Sequence, residues 1–105
     1  MKAVINGKRY DTDTATEVCD VSPLGYSTSD FQYEDSRLYR TRNGNWFVAG
    51  KGNAMSRWAR RYGQSGRGPG SGIEPVDHDA ARQLLEQHAS IEVIERFFGE
   101  QIEDA

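Results

Sequence analysis

The chain contains a single cysteine, Cys19, and this scarcity excludes two common ways of stabilising a small fold. One thiol cannot form an internal disulfide framework, and it cannot supply a zinc site built on several cysteines. Cys19 also has no adjacent basic residue that would lower its pKa. We therefore interpret it as a small buried side chain rather than as a nucleophile.

Large apolar side chains are scarce as well. Phe, Leu, Ile and Val together account for 19 of the 105 residues, just under the fifth that folded chains usually exceed. Two Trp and five Tyr supply part of the missing apolar area. A net charge of −3 is too small for the disordered class. We expect one domain over residues 1–105 with a thin core, which association into a homodimer would enlarge.

Long apolar segments are also missing. The first ten residues, MKAVINGKRY, lack the apolar run of a secretory signal, and no later stretch approaches the length of a membrane span. The sequence therefore predicts a cytoplasmic protein with no membrane partner.

Acidic residues are absent from residues 36–73, which carry eight basic side chains. Residues 1–35 have a net charge of −4, and residues 74–105 have a net charge of −7. One interpretation is that surface ion pairs, each worth about 0–1 kcal/mol, join the basic middle to the acidic ends. The other is that the protein has a basic face and an acidic face, and that one or both bind a partner.

Two Asn-Gly dipeptides predict β-hairpins in residues 1–52. Around Asn6-Gly7, Ile5 would pair with Lys8. Around Asn43-Gly44, a register that pairs Arg42 with Asn45 gives the second hairpin one core face and one outward face. The predicted core face carries Tyr39, Thr41, Trp46 and Val48. The predicted outward face carries Leu38, Arg40, Arg42, Phe47 and Ala49. A slip of one residue would exchange the two faces.

Residues 53–72 divide into two predicted parts. The run AMSRWARRYG predicts a short basic helix, because its apolar and aromatic side chains recur at helical spacing. The following GQSGRGPGSG predicts a flexible loop or a backbone docking surface, since glycine takes every second or third position.

Residues 73–105 predict two acidic helices. Asp77 and Ser90 are suited to the two N-caps, and Gly99 to the end of the second helix. The inward stripes would carry Ala81, Leu84, Leu85 and His88 in the first helix and Ile91, Ile94, Phe97 and Phe98 in the second. Strands followed by helices predict an α+β fold, a small antiparallel sheet built from hairpins with both helices packed on one face.

No residue pattern supplies catalytic chemistry. The two histidines do not share a helical face, and the Asp-His-Asp run at 77–79 is better explained as a charged helix start than as a metal site. The glycine-rich run lacks the Lys-Ser/Thr of a P-loop, although a phosphate nest remains an alternative. We predict a non-enzymatic protein without cofactor or metal.

Arginines interleaved with aromatic residues predict a binding surface instead. The candidate contacts are Arg40, Arg42, Phe47, Arg57, Trp58, Arg60, Arg61, Tyr62 and Arg67. Arg, Trp and Tyr are enriched at protein–protein hot spots, and the same side chains can neutralise phosphates and stack on unpaired bases. A sequence pI of about 5.3 counts against nucleic acid. A third alternative is that the acidic helices occupy a basic channel of a partner.

Four segments, INGKRYDTDTA, LYRTRNGNWFVAG, IEPVDHDAARQLLEQH and FFGEQIEDA, carry a resemblance. In this pattern the chain resembles a group of small proteins of mostly unknown function encoded by phages and other mobile elements. Proteins of that size and source include anti-CRISPRs and other anti-defence factors. The resemblance implies a protein that blocks a host protein or nucleoprotein complex in the host cytoplasm, and direct binding of single-stranded or structured nucleic acid is the alternative.

Overall fold

The computed structural model describes residues 1–64 and 66–105 and has the α+β architecture that the sequence predicts. The strands are β1 (Lys2–Ile5), β2 (Lys8–Asp11), β3 (Thr16–Asp20), β4 (Glu34–Arg40), β5 (Trp46–Gly52), β6 (Arg60–Tyr62), β7 (Gly66–Gly68) and β8 (Gly70–Val76). Helices α1 (His78–His88) and α2 (Ile91–Phe98) follow, with a 3₁₀ turn over Gly99–Gln101. Strands β3-β4-β5-β8 form an antiparallel sheet in that order, and β1-β2 and β6-β7 form separate two-stranded ribbons.

The first Asn-Gly hairpin has the predicted register. Asn6 and Gly7 have φ angles of 51° and 77°, as a type I′ turn requires, and Ile5 pairs with Lys8. A type I′ turn matches the right-handed twist of the two strands that it joins, which explains why a short ribbon forms here.

The second hairpin pairs one residue away from the predicted register. The Thr41 amide donates to the Asn45 carbonyl at 2.8 Å, and Gly44, at φ 85°, donates to the Thr41 carbonyl at 3.0 Å. This is a three-residue loop closed by a left-handed glycine, whereas the prediction assumed a two-residue loop. Arg40 therefore pairs with Trp46, and every side chain of one strand meets a different partner.

Both faces of the sheet are covered, so the predicted outward face is wrong. On one side Leu38, Trp46 and Val48 pack against the helices. On the other side Phe47 is completely buried, because the β1-β2 ribbon lies over it. The edge of the Tyr10 ring contacts the Phe47 ring there, with 5.4 Å between the ring centres. The fold predicted from the sequence lacks this third layer, because it assigns the first hairpin no place in the packing.

The short basic helix predicted for the run AMSRWARRYG does not form. Turns lead from Asn53 to Trp58, and Arg60–Tyr62 is strand β6. The predicted flexible loop is also replaced by strands β7 and β8 where the structure describes it, and its Ser65 lies outside the described residues. Trp58 is buried although no helix forms, because its ring packs on the sheet.

The helices begin as predicted. The Asp77 side chain accepts from the Ala80 amide, and the Ser90 side chain accepts from the Val93 amide. The predicted inward stripe of α2 is wrong at Ile91, which is 73% exposed. Val93 packs against the core instead. Within the described residues, no helix has the length and apolar composition needed to cross a bilayer.

We expect Gly50→Ala to destabilise the fold by about 1–3 kcal/mol. A Cβ on Gly50 would lie 2.7 Å from the Trp58 indole nitrogen and would also meet the Asp35 carbonyl oxygen. Urea unfolding measures the change. Gly99→Ala is the matched control, since a Cβ there meets nothing within 4 Å and the backbone is helical at φ −55°. Equal stability of the two variants would contradict the proposed close packing.

Candidate functional site

Four glycines form a flat patch on the helix-side face of the sheet. Gly50 pairs with Gly72, and Gly52 pairs with Gly70, across strands β5 and β8. Because all four lack a Cβ, another segment of the chain can lie directly on the backbone of these strands. Trp58 fills this space: a Cβ on Gly72 would come within 3.1 Å of its ring. We call these four residues the glycine platform.

A buried polar chain holds Trp58 on the glycine platform. Its indole nitrogen donates to the Ser36 hydroxyl at 2.8 Å, and Ser36 donates in turn to the carboxylate of Glu34. Glu34 is only 7% exposed, and the guanidinium of Arg57 lies 3.1 Å from the same carboxylate oxygen. A buried charge needs such a partner, because an unpaired one would cost several kcal/mol. Arg57 is thus tied to the body of the protein.

Beyond Trp58 the chain leaves the sheet as the β6-β7 ribbon, which we call the arm. Arg60, Arg61, Tyr62 and Arg67 are all exposed on it. The Tyr62 ring covers Gly68 and its hydroxyl donates to the Pro69 carbonyl at 2.9 Å, while Arg60 donates to the Ser71 carbonyl at 3.3 Å. These contacts secure one side of the arm against the start of β8.

The other side of the arm carries two arginines directly opposite each other. Arg61 pairs with Arg67 across the ribbon, and both line a cleft of about 370 Å³. Like charges in such a position destabilise a ribbon. In the part of the chain that the structure describes, no salt bridge compensates either guanidinium. The pair is therefore an electrostatic cost to the free protein that a bound anion would relieve.

The remaining candidate residues do not join the arm. Arg40 and Arg42 lie at the opposite end of the sheet, about 20 Å away along β4 and β5. The guanidinium of Arg40 stacks 5.5 Å from the Trp46 ring centre, so it is part of the packing there. Phe47 and Trp58 are buried and offer no surface. The structure brings together Arg60, Arg61, Tyr62 and Arg67 of the nine candidates, with Arg57 at the base.

Sequence reasoning missed Glu34 and the glycine platform. The available signal for the platform was the pair of alternating runs Gly50-Lys51-Gly52 and Gly70-Ser71-Gly72. Alternate glycines in a strand leave one face without side chains, which indicates the close approach of another chain segment. Glu34 had no comparable signal, since its burial depends on contacts made far away in sequence.

Cys19 is half-buried at the edge of the helix-side core. Burial is the main cause that raises the pKa of its thiol, and the negative charge of Asp20 adds to this effect. Within residues 1–64 and 66–105, no group of three or more His, Cys, Asp or Glu side chains could hold a metal ion.

No protein-family model, no curated protein and no solved structure matches the chain.

We expect Trp58→Phe to destabilise the protein by about 1–2 kcal/mol more than the change of ring size alone, because it removes the hydrogen bond to Ser36. Trp46→Phe is the matched control. The Trp46 indole nitrogen is buried and has no hydrogen-bond partner among the described residues, so that change removes no hydrogen bond. Urea unfolding followed by circular dichroism compares the two. A smaller loss for Trp58→Phe would contradict the importance of the polar chain.

We expect Cys19 to be alkylated more slowly in the folded protein than in urea at about pH 8, since a raised pKa lowers the fraction of reactive thiolate. Asp20→Asn should speed the folded-state reaction, because it removes the nearby negative charge. Mass spectrometry follows the iodoacetamide reaction. A folded-state rate equal to the rate in urea would show that burial does not protect the thiol.

Proposed function

We propose that the protein is a non-enzymatic binding protein that engages nucleic acid phosphates through the arm. The observation that carries this proposal is the cross-strand pair of Arg61 and Arg67 on an exposed ribbon. Two guanidinium groups held side by side match the bidentate geometry and the charge of phosphates along a strand. Tyr62 is 56% exposed but lies on the opposite face of the ribbon from this pair, where its ring covers Gly68, so the arginines alone carry the proposed phosphate contact.

The burial of the other aromatic candidates favours nucleic acid over a protein surface. A protein–protein hot spot would need large side chains that fill a pocket of the partner. Phe47 and Trp58 are committed to the core, which leaves the arm rich in charge but poor in apolar anchors. Such a surface suits a polyanion better than it suits an apolar protein patch.

The start of the first acidic helix and the acidic C-terminal residues lie away from the arm. Strand β8 leads from the arm at Gly70 to the opposite end of the sheet at Val76, and Asp77 begins the helices there. The His78 Nε2 and Gln101 Oε1 atoms lie 3.2 Å apart, so the acidic C-terminal residues around Gln101 lie at the same far end. For these carboxylates a separation of about 20 Å along β8 exceeds the Debye length of about 8 Å at physiological salt, whereas the body of α1 packs back along the sheet.

Inhibition of a host nucleoprotein complex would be one use of this contact. In that case the arm would bind the nucleic acid of the complex in the host cytoplasm, as an anti-CRISPR or another anti-defence factor would. The resemblance to phage-encoded proteins motivates this part of the proposal. The arm would make the same phosphate contacts with free nucleic acid and with the nucleic acid of a complex.

We expect the double substitution Arg61→Ala/Arg67→Ala to weaken binding to a labelled single strand by at least about tenfold at low salt. Loss of two phosphate contacts should also make the slope of log K against log salt concentration shallower by about 1.4. Fluorescence anisotropy measures both quantities. Lys2→Ala/Arg96→Ala is the control, since it removes the same charge from exposed residues outside the arm. Equal losses in the two double variants would mean that net charge, not the arm, governs binding.

A pull-down from host lysate with and without nuclease tests the protein-partner alternative. Under the proposal, nuclease releases whatever is captured, and the Arg61→Ala/Arg67→Ala variant captures nothing. Recovery of one defined protein complex after nuclease treatment, by the unmodified protein and by the variant alike, would overturn the proposal.

A further inference from the structure

A second basic cleft lies at the opposite end of the sheet from the arm, between the turns of the two Asn-Gly hairpins. It has a volume of about 530 Å³. Lys8 and Arg9 line it from strand β2, and Arg42 lines it from the loop between β4 and β5. We call it the turn cleft. Of these three residues, only Arg42 is among the contacts predicted from the sequence.

Buried aromatic packing fixes the two walls of the turn cleft relative to each other. Phe47 stacks on Tyr39 at 5.1 Å and meets Tyr10 edge-on at 5.4 Å, which holds the β1-β2 ribbon against the sheet. Lys8 then reaches across the gap and donates to the Asn45 side-chain oxygen at 3.5 Å. The basic groups therefore converge from two chain segments that are distant in sequence. The packing fixes the two walls, so the cleft is formed before a ligand enters.

The turn cleft has an excess of positive charge. Lys8, Arg9 and Arg42 contribute three cations, and Asp11 is the carboxylate among the lining residues. The Asp11 side chain accepts from the Asp13 amide at 2.9 Å, so it is engaged in a local turn. None of the salt bridges within residues 1–64 and 66–105 involves any of these four charges. The balance of three cations and one anion suits a doubly charged anion.

We propose that the turn cleft binds the phosphate group of a small phosphorylated molecule. Its volume falls within the range of about 300–1,000 Å³ that small-molecule sites occupy, and it exceeds what a phosphate ion alone would fill. Thr14, Thr41 and Asn43 supply hydroxyl and amide groups to the rest of the lining, beside the ring of Tyr10. A sugar-like or similarly polar body therefore fits better than an apolar one. The inference does not depend on the function proposed for the arm.

Pyrophosphate is the probe for the first test, by titration into the isotope-labelled full chain at low salt with amide signals followed by NMR. We expect saturable shifts at Gly7 and at residues 41–45, and at least about tenfold weaker binding by Arg42→Ala. Arg96→Ala, which removes an exposed arginine from α2, should bind as tightly as the unmodified protein. Shifts that never saturate, or equal affinity in both variants, would overturn the proposal.

A second titration identifies the source of the phosphate, because nucleic acid held by the arm could also reach the turn cleft. An oligonucleotide is added to the pyrophosphate complex of the unmodified protein and of Arg61→Ala/Arg67→Ala. Pyrophosphate retained in both proteins supports a small phosphorylated ligand. Displacement in the unmodified protein alone would overturn the small-molecule assignment and make the turn cleft an extension of the nucleic-acid path.

Discussion

The seating of Trp58 on the glycine platform is the contact on which the basic half of the molecule depends. Alternating glycines in β5 and β8 remove the side chains that would otherwise hold the segment away from the sheet. The indole then reaches Ser36, whose hydroxyl joins it to the buried carboxylate of Glu34. Arg57 completes the chain and neutralises that charge. The arm leaves the sheet in a defined direction because the residues at its base are fixed in this way.

In the described part of the chain, the arginines divide into a group that forms ion pairs and a group that does not. Arg37 and Arg57 form ion pairs with the acidic ends of the chain, as the surface-pairing interpretation expected. Arg61 and Arg67 face each other without such a partner among the described residues. The two interpretations of the charge pattern therefore each describe part of the basic segment. What distinguishes the groups is which carboxylates the fold places beside them, and charge counting along the sequence does not contain that information.

Local signals predicted the parts of the fold that are governed by local energetics. The Asn6-Gly7 turn, the two N-caps and the order of strands and helices all depend on residues close together in the chain. The errors arose where distant segments decide the outcome. Phe47 is buried by a ribbon nearly forty residues upstream, and Trp58 is buried by glycines on both sides of it in sequence. The arginines predicted as contacts are divided between the two ends of the sheet, and that division required the strand pairing.

The three-residue loop that ends at Gly44 has a consequence for how this protein can diverge. Side chains alternate between the two faces of a strand, so inserting or deleting one residue in that loop would exchange the contents of the helix-side and ribbon-side cores. Phe47 would then face the helices, and Val48 would face Tyr10. Neither core is large enough to absorb such an exchange. Loop length at this turn should therefore persist through evolution longer than the identity of most of its residues.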